Sequence, residues 1–161
     1  MPESDNVLNV NILSSDWRAY ALANFPLFPF MLDGIVLASV EGFVQGIKFP
    51  PDHPSRDLAF LSHSQAAKRC GEAAERIHVW WKDEVLDYGA HEHHRLIARG
   101  IRAKFSFNEG LQIAMRATEG MRLVHELDPE SPTTSLPATV FCRILTDLRQ
   151  ELLQTGTIAP A

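Results

Sequence analysis

The sequence predicts a mainly α-helical, compact domain with a small β-hairpin element. Three observations predict it. Apolar residues recur at helical spacing in several separate segments, most clearly Val140, Phe141, Ile144, Leu145, Leu148 and Leu152, which make one wide stripe. Asp33-Gly34 stands between apolar runs as a hairpin-type turn. The segment IHVWWKDEVLDYG, residues 77–89, reads as extended chain or a second hairpin.

The elements follow in order. VLNVNIL, residues 7–13, fits a short strand after a polar start. Pro26 and Pro29 forbid a continuous helix through ANFPLFPF. Residues 39–49 fit a helix stopped by Pro50-Pro51. A short helix fits 55–62, and Ser64 is a good N-cap for another helix reaching about residue 74. Leu96, Ile97, Ile101 and Phe105 mark a helix over 90–105. Asn108 can cap the next one, in which Leu111, Met115 and Thr118 share a side. LDPESPTTS, residues 127–135, is loop-like, and Pro137 opens the last helix, through about Leu153.

Composition bounds the function. A chain of 161 residues, 45% hydrophobic, suits one domain with a real core. A net charge of −5 argues against broad binding to a nucleic-acid backbone and favours a small ligand or a nucleic-acid end. Cys70 and Cys142, in no zinc-like spacing, point to reduced thiols. No apolar run approaches the ~18 residues of a membrane span, so the expectation is a cytoplasmic protein, or one acting in a host cytosol if viral.

SVEGFVQGIKF, residues 39–49, carries the most information. At about 100° per residue, Val40, Phe43, Val44 and Ile47 fall in one arc and Glu41, Gln45 and Lys48 in a second. Gly42 and Gly46 occupy a third. Each interior glycine costs about 0.5–1 kcal/mol relative to alanine. Close approach of another backbone, or of a flat ligand, compensates; on the wheel alone the polar arc reads as a solvated face and the glycines as room for a neighbouring helix.

Several motifs, in order along the chain, resemble the NADAR family, also described as YbiA-like. They are NF at 24–25, PF at 29–30, LDG at 32–34, S-x-E at 39–41, Gln45, KF at 48–49, RAKF at 102–105 with Asn108, AT at 117–118, LV at 123–124 and a terminal IL-x-x-LR-x-EL. The resemblance covers about residues 22–153 of a single domain spanning 1–161. It implies a mainly α fold and hydrolysis of N-glycosidic bonds. The substrates implied are ADP-ribosylated guanine, as a small molecule or in nucleic acid, and phosphorylated ribosylamino compounds. By position, Asn24, Glu41, Gln45 and Lys48 fall where the family keeps pocket residues, and Glu41 falls on the glutamate expected to be essential. The chain departs from the pattern at Gly42, where S-x-E-H has histidine, at His125, where LVE has glutamate, and in lacking the D-x-x-WG-x-G stretch. It is similar to a divergent branch.

The chemistry fits these residue types. Breaking a ribose C1′–N bond builds positive charge on the sugar, which a carboxylate stabilises. Glu41 lies just past the N-cap Ser39, where the helix dipole favours the ionised form. The expected role is therefore electrostatic stabiliser or water-activating base. Lys48 and His125 complete the expected catalytic set, Lys48 through its charge and His125 as acid, base or donor near neutral pH. Asn24 and Gln45 can read ribose hydroxyls or base edges. Trp80 and Trp81 alternate across an extended segment, so one fills the core and the other is free to stack on a base. In HEHHR, residues 91–95, the histidines lack the i, i+4 spacing of a zinc helix. That cluster reads as a solvated helix start, and neither a metal nor another cofactor is expected. Two other functions stay open: a module that binds ADP-ribose or a nucleotide without cleaving it, and an interaction protein that keeps only the fold.

Overall fold

The computed structural model describes residues 6–126 and 129–161. The polar stretch 1–5 and the first two residues of the expected loop 127–135 lie outside the described residues. The elements run β1 (Val7–Asn9), α1 (Trp17–Leu22), β2 (Phe30–Leu32), β3 (Ile35–Leu37), α2 (Val40–Gly46), α3 (Pro54–Phe60), α4 (Ser64–Cys70), β4 (His78–Trp81), β5 (Glu84–Asp87), α5 (His91–Phe107), α6 (Glu109–Arg116), β6 (Arg122–Val124) and α7 (Ala138–Thr155). The mainly helical architecture with minor β elements is the one expected.

Local chemistry explains most boundaries. The β2–β3 hairpin turns on Asp33 at φ +48° and Gly34 at φ +81°, the pair of positive angles that a two-residue I′ turn needs. Its register pairs Met31 with Val36 and Phe30 with Leu37. Ser39 caps α2, its Oγ accepting from Gly42 N at 2.9 Å while donating to Ser62 O at 2.9 Å. Asp16 caps α1 by accepting from Arg18 N at 2.9 Å. Gly156 closes α7 in the left-handed region.

Five expectations are corrected. The first helix of the site ends at Gly46, with turns beyond it, and α4 ends at Cys70. Ser64 does not cap α4: it is the first helical residue, at φ +53°, and its hydroxyl donates to Phe25 O at 3.1 Å, while His63 stands at the cap position. Asn108 does not cap α6 with its side chain. Its Nδ2 turns back to Lys104 O at 2.7 Å and Pro29 O at 3.1 Å, closing α5 and tying it to the chain just before β2. Thr118 lies past the end of α6, buried, with its Oγ1 donating to Met115 O.

Helix α5 runs through the middle, packed against α2, α6, α7, β2 and β5. Its Gly100 admits the ring of Phe43 from α2, since a Cβ there would lie 2.5 Å from the ring. The two glycines of α2 face α3. A Cβ on Gly42 would meet Ala59 O at 2.4 Å, and one on Gly46 would meet the Phe60 ring at 2.3 Å. The compensation predicted for these glycines is therefore close approach of α3, and the polar arc is turned toward α4 and the loop after it. β1 pairs in parallel with β6, Leu8 opposite Leu123. No helix among the described residues is long and apolar enough to cross a membrane.

Candidate active site on helix α2

Glu41, Gln45 and Lys48 occur at i, i+4 and i+7 and so lie along one side of α2 and the turn that follows it. Their side chains form a continuous line. Gln45 Nε2 donates to Glu41 Oε1 at 2.7 Å, and Lys48 Nζ donates to Gln45 Oε1 at 2.8 Å. Each contact fixes the next, because an amide that donates at one end must accept at the other. Gln45 and Lys48 are buried, at 7% and 4% exposure, and Glu41 is half-buried. The solvated polar face that a helical wheel alone suggests is therefore not what forms. Gly71, at the end of α4, makes room for the line: a Cβ there would fall 1.7 Å from Gln45 Oε1.

The electrostatics differ from the expectation for Glu41. Burial raises its carboxyl above the usual range, while the Gln45 hydrogen bond and the charges of Lys48 and Lys68 pull it back. The N-cap position expected to favour ionisation does not outweigh that loss of solvent. Glu41 as a residue is half-buried, yet its carboxyl is closely surrounded by protein, and the loss of solvent governs its proton. Burial also pulls Lys48 down to about 8; Arg76 pushes the same way and Glu41 opposes.

Asn24 joins the site through its backbone. Its carbonyl accepts Glu41 N–H at 3.0 Å, and its Oδ1 is buried without a hydrogen-bond partner. A residue not anticipated for the site sets this position. Lys104, from the RAKF segment of α5, is 2% exposed and donates to Ala21 O at 2.9 Å and Ala23 O at 2.7 Å. It thereby fixes the chain immediately before Asn24, with the faces of Phe28 and Phe105 about its ammonium.

The tryptophans do alternate. Trp81 is 1% exposed, edge-on to Phe43 at 5.1 Å and to Phe60 at 6.0 Å, with Nε1 donating to Asp33 Oδ2 at 2.7 Å. It belongs to the core, which corrects its place among the substrate-binding candidates. Trp80 is half-buried on the opposite face, edge-on to His78. Its backbone N–H donates to Ile47 O at 2.8 Å, next to Lys48 in the chain.

His125 is not gathered with the others. Its Nδ1 lies 2.6 Å from Val10 O and its ring stands edge-on to Phe141 of α7, elements that carry none of Glu41, Gln45 or Lys48. In the cluster 91–95, His91, Glu92 and Arg95 are exposed, as a solvated helix start requires, and His93 is the exception. His93 is fully buried, beside Tyr88 at 5.0 Å between ring centres. Nothing in the sequence pattern separates it from exposed His91 and half-buried His94; only the packing of the 88–89 turn does. Among the described residues, no group of three or more His, Cys, Asp or Glu side chains is placed to hold a metal ion.

The fold is YbiA-like. The NMR structure of the E. coli protein YbiA matches it with a TM-score of 0.67, over 94% of this chain and 88% of that one, at 19% identity. Residues 16–150 match the family described as bacteriophage protein GP30.3, and the chain belongs to that family. A 17.1 kDa protein from the Gp30-rIII intergenic region of Enterobacteria phage T4 is 28% identical over 141 residues, covering 84% of this chain and 93% of that protein.

Proposed function

We propose that this protein is an N-glycosidase that hydrolyses a ribose C1′–N bond, with ADP-ribosylated guanine or a related phosphorylated ribosylamino compound as substrate. The observation that carries the reading is the line Glu41–Gln45–Lys48, which holds a half-buried carboxyl and a buried ammonium in fixed relation. Only one carboxylate oxygen is engaged by Gln45, which leaves the other for substrate or water.

The reaction uses these groups as follows. The C1′–N bond breaks with its electron pair leaving on the base nitrogen, which takes a proton from solvent. Positive charge grows on the ribose ring and is met by Glu41. Water adds to C1′, and its proton passes to the same carboxylate. A carboxyl whose proton affinity is raised by burial is better suited to that second duty than an exposed one. Lys48, held by Gln45, supplies charge for an anionic part of the substrate, and half-buried Trp80 offers a face for a base. Ligand chemistry of this kind calls for no metal. The fold provides the frame, and the YbiA-like resemblance supplies the reaction class.

Incubation with ADP-ribosylated guanosine tests the reading. Release of free ADP-ribose by the wild type, lost in Glu41→Gln, supports it. Equal rates for the two proteins overturn the role of Glu41. Saturable binding without release supports the non-cleaving ADP-ribose module instead.

A further inference from the structure

Helix α2 ends at Gly46, so Lys48 stands on the turn beyond it, where backbone carbonyls lack a partner within the helix. The carbonyls of both its neighbours are held from elsewhere in the chain. Ile47 O accepts the backbone N–H of Trp80 at 2.8 Å. Phe49 O accepts Arg56 Nη1 at 2.7 Å. The same Nη1 donates to Trp80 O at 3.0 Å. Trp80 therefore uses both its backbone groups on this turn and this guanidinium, on the edge of β4 away from its register partner Val85.

Arg56 is set deep in the fold. It lies on α3, 5% exposed, with its guanidinium 4.9 Å from the centre of the Phe60 ring. Its two acceptors are neutral carbonyls, whereas Arg99 and Arg102 face the carboxylates of Asp33 and Glu151. Burying a charge without an opposite charge is unfavourable, so these two hydrogen bonds are what offsets it. A long side chain ending in several donors suits acceptors on two separate elements. Gly46 lets α3 come near enough: a Cβ there would lie 2.3 Å from the Phe60 ring and 3.1 Å from Arg56 O. The bare side of α2 thus admits the residue that secures the end of its polar side.

We infer that Arg56 is a positioning residue of the candidate site: by joining Phe49 O to Trp80 O, it fixes the turn that carries Lys48 against the strand that carries Trp80. This deepens the N-glycosidase reading and rests on it, since there Lys48 meets an anionic part of the ligand and Trp80 meets a base. Such a ligand spans a charge and a flat ring. Partners already held at a set spacing bind it better, because less ordering remains to be done on association. Arg56 acts through the other two residues.

The titration of Lys48 reads this clamp without any substrate. Burial holds Lys48 down to about 8, with Arg76 acting the same way and Glu41 against. A Lys48 that leaves its place regains water and titrates near the ordinary 10.5. Lys104, held down to about 7 by burial and bonded to Ala21 O and Ala23 O, reports whether the core is intact.

Both lysines are followed by ¹⁵N NMR in the wild type, Arg56→Met and Arg56→Lys, and ADP-ribose binding is measured by calorimetry. Arg56→Met keeps an unbranched stem and removes the donors. In it Lys48 is expected to move toward 10.5 while Lys104 stays near 7, and ADP-ribose should bind about tenfold more weakly. Arg56→Lys, whose ammonium has donors for both carbonyls, should recover most of both losses. A Lys48 that still titrates near 8 in folded Arg56→Met overturns the inference, as does unchanged affinity for ADP-ribose. Should Arg56→Met not fold, the wild type decides: Arg56 Nη protons are expected as separate, slowly exchanging signals at low temperature, and averaged, rapidly exchanging ones overturn the clamp. The two readings fail separately. If hydrolysis depends on Glu41 while Lys48 stays in place in Arg56→Met, the role of Arg56 alone fails. If Lys48 is released and ADP-ribose binding weakens while Glu41→Gln hydrolyses at the wild-type rate, the hydrolase reading alone fails.

Discussion

Lys104 Nζ lies 2.7 Å from Ala23 O, one residue before the carbonyl that receives Glu41 N–H. The start of α2 is thus held from α5 through a single buried ammonium. Lys104→Met keeps the stem and leaves two carbonyls without their donor. We expect a loss of about 1–3 kcal/mol in urea unfolding, together with weakened hydrolysis as Asn24 and Glu41 drift apart.

The same lysine gives a pH signature. Burial pulls Lys104 down to about 7 from its ordinary 10.5. Between those values the unfolded chain holds a proton that the folded chain has released, so stability rises with pH there. Below the folded value the cost of burying the charge is constant. Unfolding free energies of wild type and Lys104→Met, measured from pH 6 to 10, should therefore diverge in favour of the wild type as pH rises. A constant difference across that window contradicts this account.

Gly71→Ala tests whether the line through Gln45 is needed. The added methyl falls on Gln45 Oε1, the end of a flexible side chain, so Gln45 gives way and releases Lys48. Stability is expected to change by about 1 kcal/mol, while hydrolysis falls about tenfold or more through loss of positioning. Parallel unfolding and rate measurements check it, and a wild-type rate would show that the line is dispensable.

The adjacent tryptophans should separate stability from binding. Trp81→Ala empties the space against Phe43 and Phe60 and is expected to cost about 3–5 kcal/mol. Trp80→Ala should leave thermal stability nearly unchanged and weaken ADP-ribose binding by about 1–3 kcal/mol if a base stacks there. Calorimetry on both variants distinguishes the two faces of β4.

His125→Gln is expected to leave the hydrolysis rate within about twofold of wild type, since its contacts are with Val10, just after β1, and with Phe141 of α7 and not with α2. A rate loss of a hundredfold without unfolding would return His125 to the catalytic set.

What the sequence made legible was local. Asp33-Gly34 announces its hairpin because few other pairs accept both positive angles, and Ser39 announces α2 because its hydroxyl caps a backbone N–H three residues on. The line Glu41, Gln45, Lys48 was readable for the same reason: helical spacing alone aligns them. Helix α1 went unread although Asp16 is an ordinary N-cap, because the helix is only six residues long, too short for a periodic pattern to show. The illegible features depend on distant chain. β6 is three residues long and exists by pairing with β1, and Ser64 lost its capping role to a contact with Phe25. His93 looks like its neighbours until the turn at Tyr88-Gly89 closes over it. Buried charges such as Lys104 are unreadable in principle from periodicity, since a lysine on a helix is ordinarily at the surface.

The parallel pairing of Val7–Asn9 with Arg122–Val124 has a consequence for synthesis on the ribosome. The first strand has no partner until most of the chain has emerged, because the sequence that completes it is made so late. The amino end must wait as an unpaired edge while the helices between assemble, and closing that long span is a slow, late event. During synthesis there is therefore an interval in which the helices between have emerged and the first strand has yet to find its partner.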